Sequence, residues 1–123
     1  MEKSITTSIP HVSRGRLDEI GMGDPMFTAE LIDIMLEDGA LRVQKIRAAS
    51  LAENQEEIGK LAHSLKGAAL NVGALELANL CAIMDEAVRK LGIACTSEQI
   101  KHLEQEFTDV ATELMQIKSE LTA

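Results

Sequence analysis

Apolar residues recur at intervals of three and four positions along most of the chain, which is the spacing of α-helices that bury one face. The pattern predicts one short helix over residues 14–20 and four long helices over about residues 25–50, 54–72, 74–91 and 96–121. In the last helix the intervals alternate without a break through Ile100, Leu103, Phe107, Val110, Leu114, Ile117 and Leu121. No segment shows the strict alternation that is typical of a β-strand.

Residues that favour helix ends stand at these boundaries. Asp24 followed by Pro25 is a strong start signal, since it places an acidic N-cap before a proline in the first turn. The other signals are two pairs with capping-box spacing and two glycines placed to end helices: Asn54 with Glu57, Thr96 with Gln99, Gly73 and Gly92. Gly39 lies inside the helix of residues 25–50 and lowers the expectation that this helix is straight.

The loops between the long helices are short, so sequence neighbours should pack antiparallel. The predicted fold class is therefore all-α: an antiparallel up-down-up-down four-helix bundle with a short extra N-terminal helix. We expect the domain to span residues 14–123 and to follow a flexible N-terminal arm of residues 1–13. The same helical spacing predicts that Ile34, Leu41 and Leu91 face the core.

Composition narrows the function classes. The chain of 123 residues has a formal net charge of −8, no cluster of basic residues and only two aromatic residues, so nucleic-acid binding is not expected. No apolar run approaches the roughly 20 residues of a membrane span, and the N-terminus lacks the apolar core of a signal peptide. We therefore expect a cytoplasmic protein that does not enter a membrane.

The two cysteines, Cys81 and Cys95, lack the spacing of a metal or redox motif. Cys81 lies on an apolar helical face and is interpreted as a small buried hydrophobic residue, with a disulfide as the less favoured alternative in a cytosolic chain.

His63 is the residue that most needs explanation. At about 100° per residue, the apolar side of its helix points away from the histidine; that side comprises Ile58, Leu61, Leu65, Ala68 and Val72. His63 is therefore predicted to lie on the exposed side.

The residues predicted to share this side suggest a chemistry. Gly59 and Gly67 lie one turn before and after His63, and glycine inside a helix costs about 1 kcal/mol relative to alanine, so the pair indicates access for a bulky group. Lys60 and Lys66 flank His63 at three residues each way and would attract a phosphoryl group, for which neutral imidazole is a nucleophile. Leu70, two turns after His63, would suit a protein partner. Spacing alone leaves an alternative interpretation open, in which His63 is a surface histidine without a function and the lysines are ordinary solvated residues.

Motifs of intrinsic enzymes are missing. The sequence has no phosphate-binding G-x-x-x-x-G-K-[ST] loop, and the glycines around Met22 do not continue into a dinucleotide motif. His11, His63 and His102 lack metal-ligand spacing, so these histidines are not expected to form a metal site. Ser64 points about 100° away from His63 and cannot act as a nucleophile with it, and we expect its hydroxyl to bond the Lys60 carbonyl.

The stretch HSLKGAALNVG, followed by LELANLCAIMDE, resembles the histidine phosphotransfer (HPt) family. The matching positions are His63, Lys66, Gly67, Gly73, Leu77 and Leu80, and the preceding LIDIMLEDGAL is similar to the family's opening helix. The resemblance covers about residues 14–92. A departure is Met84-Asp85, where the family often has Leu-Glu.

The resemblance implies a phosphorelay intermediate without its own ATP-dependent kinase activity. His63 would accept a phosphoryl group from a receiver-domain aspartate, through its outer ring nitrogen, and pass it to another receiver aspartate. Lys66 would balance the phosphoryl charge and Gly67 would leave the approach clear. The partners would be receiver domains of response regulators and hybrid histidine kinases. Each receiver would bring its own Mg²⁺, so the resemblance implies no metal and no cofactor bound by this chain. A monomer would suit successive docking.

Two alternatives stay open at this point. One is the phosphoacceptor domain of a chemotaxis-type kinase system, which is phosphorylated from ATP by a separate kinase domain. The other is a helical adaptor that binds receivers without being phosphorylated, although such an adaptor has no use for Gly67.

Overall fold

The computed structural model describes residues 9–123. It contains six α-helices: α1 (Arg14–Ile20), α2 (Pro25–Ile34), α3 (Ala40–Leu51), α4 (Gln55–Leu70), α5 (Leu75–Arg89) and α6 (Ser97–Leu121). A π-helical segment, Met35–Gly39, joins α2 directly to α3. No strand occurs within these described residues, so the prediction of an all-helical bundle with a short N-terminal helix is confirmed.

The starts of α2, α4 and α6 are formed by the residues that the sequence indicated, whereas α5 ends at Arg89, before the predicted Gly92. The Asp24 carboxylate accepts hydrogen bonds from the first-turn N–H groups of α2, and the Asn54 side chain accepts one from the N–H of Glu57. Thr96 and Gln99 form the complete capping box at the start of α6. Gly73 adopts φ +73°, a left-handed conformation that favours glycine, in the turn between α4 and α5.

Packing brings α4 against α5 and α3, while α6 contacts α2, α3 and α5. The core is aliphatic, as the composition predicts, and its largest fully buried side chains come from every helix: Leu17, Ile32, Ile46, Ile58, Leu65, Leu77, Met84, Leu103 and Leu114. Cys81 and Cys95 are both buried and unbonded to each other. Burial raises the pKa of the Cys81 thiol to about 12, so this cysteine behaves as the buried hydrophobic residue that was predicted.

Three side chains that the helical spacing assigned to the core are exposed. Ile34 and Leu41 flank the π segment, where the wider turn shifts the phase of the helix, and Met35 takes the buried position beside Ile34. Leu91 lies beyond the end of α5 at Arg89, so it is not on the helical face at all. These predictions were wrong.

Residues 9–13, which the sequence assigned to the N-terminal arm, pack against the bundle. Val12 is buried, and the N–H of Ser13 donates a hydrogen bond to the Gly73 carbonyl at 2.8 Å. Residues 1–8 of the predicted arm lie outside the described residues. No helix among residues 9–123 has a stretch that is both long enough and apolar enough to cross a bilayer.

Candidate functional site

His63 lies in the third turn of α4, and 58% of its side chain is exposed. The side of α4 that packs into the bundle carries Ile58, Ala62, Leu65 and Ala69, all of them fully buried. The helix is thus fastened by one face and presents the imidazole on another. A histidine in this position is accessible to a second protein.

The imidazole is oriented by a carboxylate on the neighbouring helix. His63 Nδ1 lies 2.9 Å from Oδ2 of Asp85 on α5. Since a carboxylate can only accept, Nδ1 carries the proton in this contact, and a neutral His63 then has its lone pair on Nε2. The lone pair that can attack an electrophile is therefore on the nitrogen away from Asp85.

Asp85 is itself held in place. Its side chain is 17% exposed, and its second oxygen, Oδ1, lies 3.4 Å from Nη1 of Arg89, one turn later on α5. Arg89 therefore faces one carboxylate oxygen while His63 uses the other. The spacing along α4 could not reveal Asp85, because the contact joins two helices. The sequence marked Asp85 only through the resemblance, in which Met84-Asp85 stands where the family often has Leu-Glu.

Lys66 and Gly67 lie one turn after His63. Lys66 is half-buried and forms no ion pair among residues 9–123. Gly67 is exposed, and a Cβ atom placed on it would meet no atom within 4 Å outside its own helical turn. The surface above Gly67 is thus open, which fits the predicted role of this glycine in access.

Gly59 does not belong to this open surface. It is buried against α5, where a Cβ atom would lie 2.9 Å from Cγ of Arg89 and 3.2 Å from Cγ1 of Val88. The glycine therefore lets α4 and α5 approach closely, and its predicted role in exposing His63 to a partner is wrong. Lys60 is exposed beside it, and Leu70 is 40% exposed at the end of α4.

Ser64 makes a different contact from the predicted one. Its hydroxyl accepts a hydrogen bond of 2.7 Å from Nε of Arg42 on α3, rather than bonding the Lys60 carbonyl. Nη1 of the same arginine donates to the Asp38 carbonyl in the π segment at 3.3 Å. Arg42 thus joins the π segment to the residue next to His63.

The imidazole does not lie in a pocket. A cavity of about 580 Å³ opens between α4 and α5, and its walls include Lys60, Arg89 and Ile93 but not His63. Small-molecule substrates are usually enclosed by such cavities, whereas an exposed nucleophile on a helix face suits a reaction with a group carried by another protein. The site is therefore one half of an active centre.

Comparison with known proteins agrees with this geometry. The family model of the Hpt domain matches residues 30–113. The structure is similar to the crystal structure of histidine-containing phosphotransfer protein B (HptB) from Pseudomonas aeruginosa PAO1, with 26% sequence identity and a TM-score of 0.82 over 92% of this chain and 98% of that chain. A search of curated proteins found no match.

The family model covers more than half of the chain, so this all-helical bundle is a phosphotransfer protein of the phosphorelay class. This chain belongs to the Hpt domain family, and it is a histidine phosphotransfer intermediate whose partners are receiver domains.

Proposed function

We propose that His63 is the phosphoryl acceptor of this protein, and that it takes the group from a phospho-aspartate on one receiver domain and gives it to an aspartate on another. The observation that carries the proposal is the contact between Nδ1 of His63 and Asp85, which leaves Nε2 of an exposed ring as the nucleophile. Receiver domains of hybrid histidine kinases and of response regulators are the proposed donor and acceptor.

In the proposed step the lone pair on Nε2 forms a bond to phosphorus while the bond between phosphorus and the aspartyl oxygen breaks. The electron pair of that bond leaves with the aspartate, which becomes a carboxylate. The ring gains positive charge as the new bond forms, and Asp85 stabilises this charge through the Nδ1 proton. Transfer onward is the same step in reverse, with a different carboxylate as the nucleophile.

Two neighbours of His63 support the approach of the phosphoryl group. Lys66 supplies a positive charge for its oxygens, and Gly67 leaves room for them. Mg²⁺, where the reaction needs it, would be held by the acidic pocket of the receiver, and no cofactor is proposed for this chain. Lys60 and Leu70 are exposed on the same helix and are proposed to contact the receiver.

The surface around His63 differs in charge from the chain as a whole. The formal net charge is −8, yet Lys60 and Lys66 flank the histidine on α4 and Arg89 lies beside Asp85. A receiver pocket that is rich in carboxylates would be attracted to this part of the surface and repelled elsewhere. We propose that a cytoplasmic monomer docks with each receiver in turn, without contact to nucleic acid or membrane.

The proposal is tested by mixing the full chain with a receiver domain that carries a radiolabelled phosphoryl group. We expect label to move to the wild-type chain, to be labile in acid and stable in alkali, and to be lost in His63→Gln. His102→Gln is the matched control, because His102 is an exposed histidine on α6 and should accept no label.

Three outcomes would contradict the proposal. Label on His63→Gln would mean that the acceptor is another residue. Wild type that accepts label only from an ATP-fed kinase domain, and from no receiver, would favour the chemotaxis-type function. Binding to receivers with no label under either condition would favour the adaptor.

A further inference from the structure

A row of carboxylates on α6 faces the segment that precedes α1. Glu106, Asp109 and Glu113 follow one another at intervals of three and four residues, so they share one side of the helix. His11 lies over this row, with Nδ1 2.8 Å from Oε2 of Glu106 and Nε2 3.7 Å from Oδ2 of Asp109. The Glu113 carboxylate accepts hydrogen bonds from the N–H groups of His11 and Val12 at 2.8–3.0 Å.

The two ring nitrogens of His11 thus face two different carboxylates. Each carboxylate can only accept, so both contacts are favourable together only when both nitrogens carry a proton, that is, when the ring is an imidazolium. A single metal ion would instead need a bare nitrogen with both carboxylates directed to it. The arrangement therefore fits a proton better than a metal.

The burial of Glu106 increases the stabilisation that a positive charge on His11 provides. Glu106 is only 5% exposed, and a buried carboxylate is costly unless it is paired and hydrogen-bonded. The hydrogen bond to Glu106 raises the pKa of His11 above its ordinary value of 6.5, burial opposes this, and the charges of Glu106, Asp109 and Glu113 add to the increase. On the other side of His11, Arg14 and Glu76 line a shallow cleft, and Arg14 pairs with Glu120.

The same segment also touches the turn that follows α4, the helix that carries His63. Ser13 donates to the carbonyl of Gly73, in the turn that follows α4, and a Cβ atom on Gly73 would lie 2.8 Å from the Ser13 carbonyl oxygen. Residues 9–13 therefore connect α6 to that turn.

We propose that His11, in its protonated form, is a pH-sensitive clasp that fastens residues 9–13 to α6 and to the turn after α4. When the ring loses a proton, only one nitrogen can still donate, and three carboxylates lose their shared cation. Because the pKa of His11 is raised on folding, the stabilisation is fully present below about pH 6.5 and is lost as pH rises through the folded-state pKa. At that point the segment is expected to loosen on the side of His11, while its backbone hydrogen bonds to Glu113 and Gly73, which do not involve the ring proton, stay formed.

The clasp is tested on the full chain by an NMR titration of the His11 ring together with the backbone amides of His11, Val12 and Gly73. We expect the ring to titrate above 6.5, and the three amides to shift in the same transition. Glu106→Gln, which keeps the shape but removes the charge, should lower the pKa of His11, and His11→Gln should abolish the amide transition. His102→Gln is the control and should change neither.

Three results would overturn the clasp. The first is a His11 ring that titrates at or below 6.5, and the second is a set of amides that shows no transition with the ring. The third is saturable binding of equimolar Zn²⁺ that shifts the His11 signals and is lost in Asp109→Asn, because the site would then hold a metal rather than a proton. Circular dichroism of each variant shows whether a changed titration reflects lost folding instead.

Discussion

In the proposed transfer, Asp85 is the residue on which the reactivity of His63 depends most. It holds the ring through Nδ1, which leaves the lone pair of a neutral ring on Nε2, and in the proposed step it would stabilise the charge that develops on the ring. Its other oxygen lies 3.4 Å from Nη1 of Arg89, and this ion pair favours the orientation in which Oδ2 faces His63. A change at Asp85 should therefore affect rate far more than it affects folding.

Replacement of Asp85 by alanine tests this directly. Hydrogen bonds to charged groups are worth about 1.5–3 kcal/mol, which corresponds to roughly a tenfold to hundredfold loss of transfer rate. The measurement is the initial rate of label transfer from a phosphorylated receiver, with circular dichroism as the check on folding. Glu86→Ala, at the adjacent exposed carboxylate on α5, is the control. Equal rates for Asp85→Ala and wild type would exclude Asp85 as a positioning residue.

Lys66 allows a second test at this scale. Lys66→Ala removes a positive charge one turn from His63, and we expect transfer to slow by about tenfold, as for the loss of one charge-assisted contact. Helix content should be unchanged. Lys101→Ala, at an exposed lysine on α6, separates this effect from a change in net charge. If both alanine variants slow transfer equally, the charge of Lys66 acts only through the net charge of the protein and not at the site.

The sequence predicted correctly which side of α4 carries His63. Spacing along α4 was enough to place His63 opposite the buried face, because that question concerns a single element. It missed Asp85 and misassigned Gly59, since both make their decisive contacts with α5. The predicted hydrogen bond of Ser64 was wrong for the same reason, because its partner Arg42 comes from α3.

At the scale of elements, the glycines inside helices serve opposite purposes. Gly67 has open space above it, whereas Gly39 in the π segment has Cε1 of Phe107 at 2.7 Å from where its Cβ would be. The first glycine leaves a surface free for a partner. The second permits α6 to approach the helical run from α2 to α3.

Gly67→Ala should stabilise the fold and slow phosphoryl transfer. Alanine in an exposed helical position gains about 0.4–1 kcal/mol, while the new methyl group obstructs the approach to His63 and slows transfer by roughly tenfold. Thermal unfolding and initial rates measure the two effects. Gly15→Ala in α1 also meets open space and should stabilise similarly without changing the rate. A Gly67→Ala variant that transfers at the wild-type rate would remove Gly67 from the site.

Gly39→Ala should instead destabilise the protein. The methyl group would collide with the Phe107 ring, and overpacking of this kind costs about 1–3 kcal/mol, more than the helix gains from alanine. Denaturant unfolding should show a lower midpoint. A midpoint at or above that of wild type would mean that the π segment relaxes without cost. The sequence pointed to irregularity at Gly39 but not to a π turn, which depends on the fit against α6.

At the scale of the whole molecule, α6 holds the bundle together. Its 25 residues contact α2, α3 and α5 through the apolar series that the sequence displayed most clearly. The apolar intervals predicted this helix, and the spacing of Thr96 and Gln99 predicted its capping box, because both are local patterns. It could not foresee that residues 9–13 pack on α6, since nothing in the pattern of apolar residues marks that contact.

Leu114→Ala tests the role of α6. The side chain is fully buried, so its truncation should lower the free energy of unfolding by about 2–5 kcal/mol. The neighbouring Met115 is 54% exposed, and Met115→Ala should change stability by no more than about 0.5 kcal/mol. Urea unfolding followed by circular dichroism gives both values. Comparable losses for the two variants would contradict the burial described for α6.

The empty space above Gly67 has a consequence for how the protein would change under selection. In a mutant library sorted only for folded, abundant protein, Gly67 should be replaced early, because a side chain there improves stability. Gly39 should persist in the same library. Only a second round of sorting, for growth that needs the relay, should restore glycine at position 67. The difference between the two rounds would measure how much stability the glycine at position 67 costs the protein in return for the proposed phosphoryl transfer.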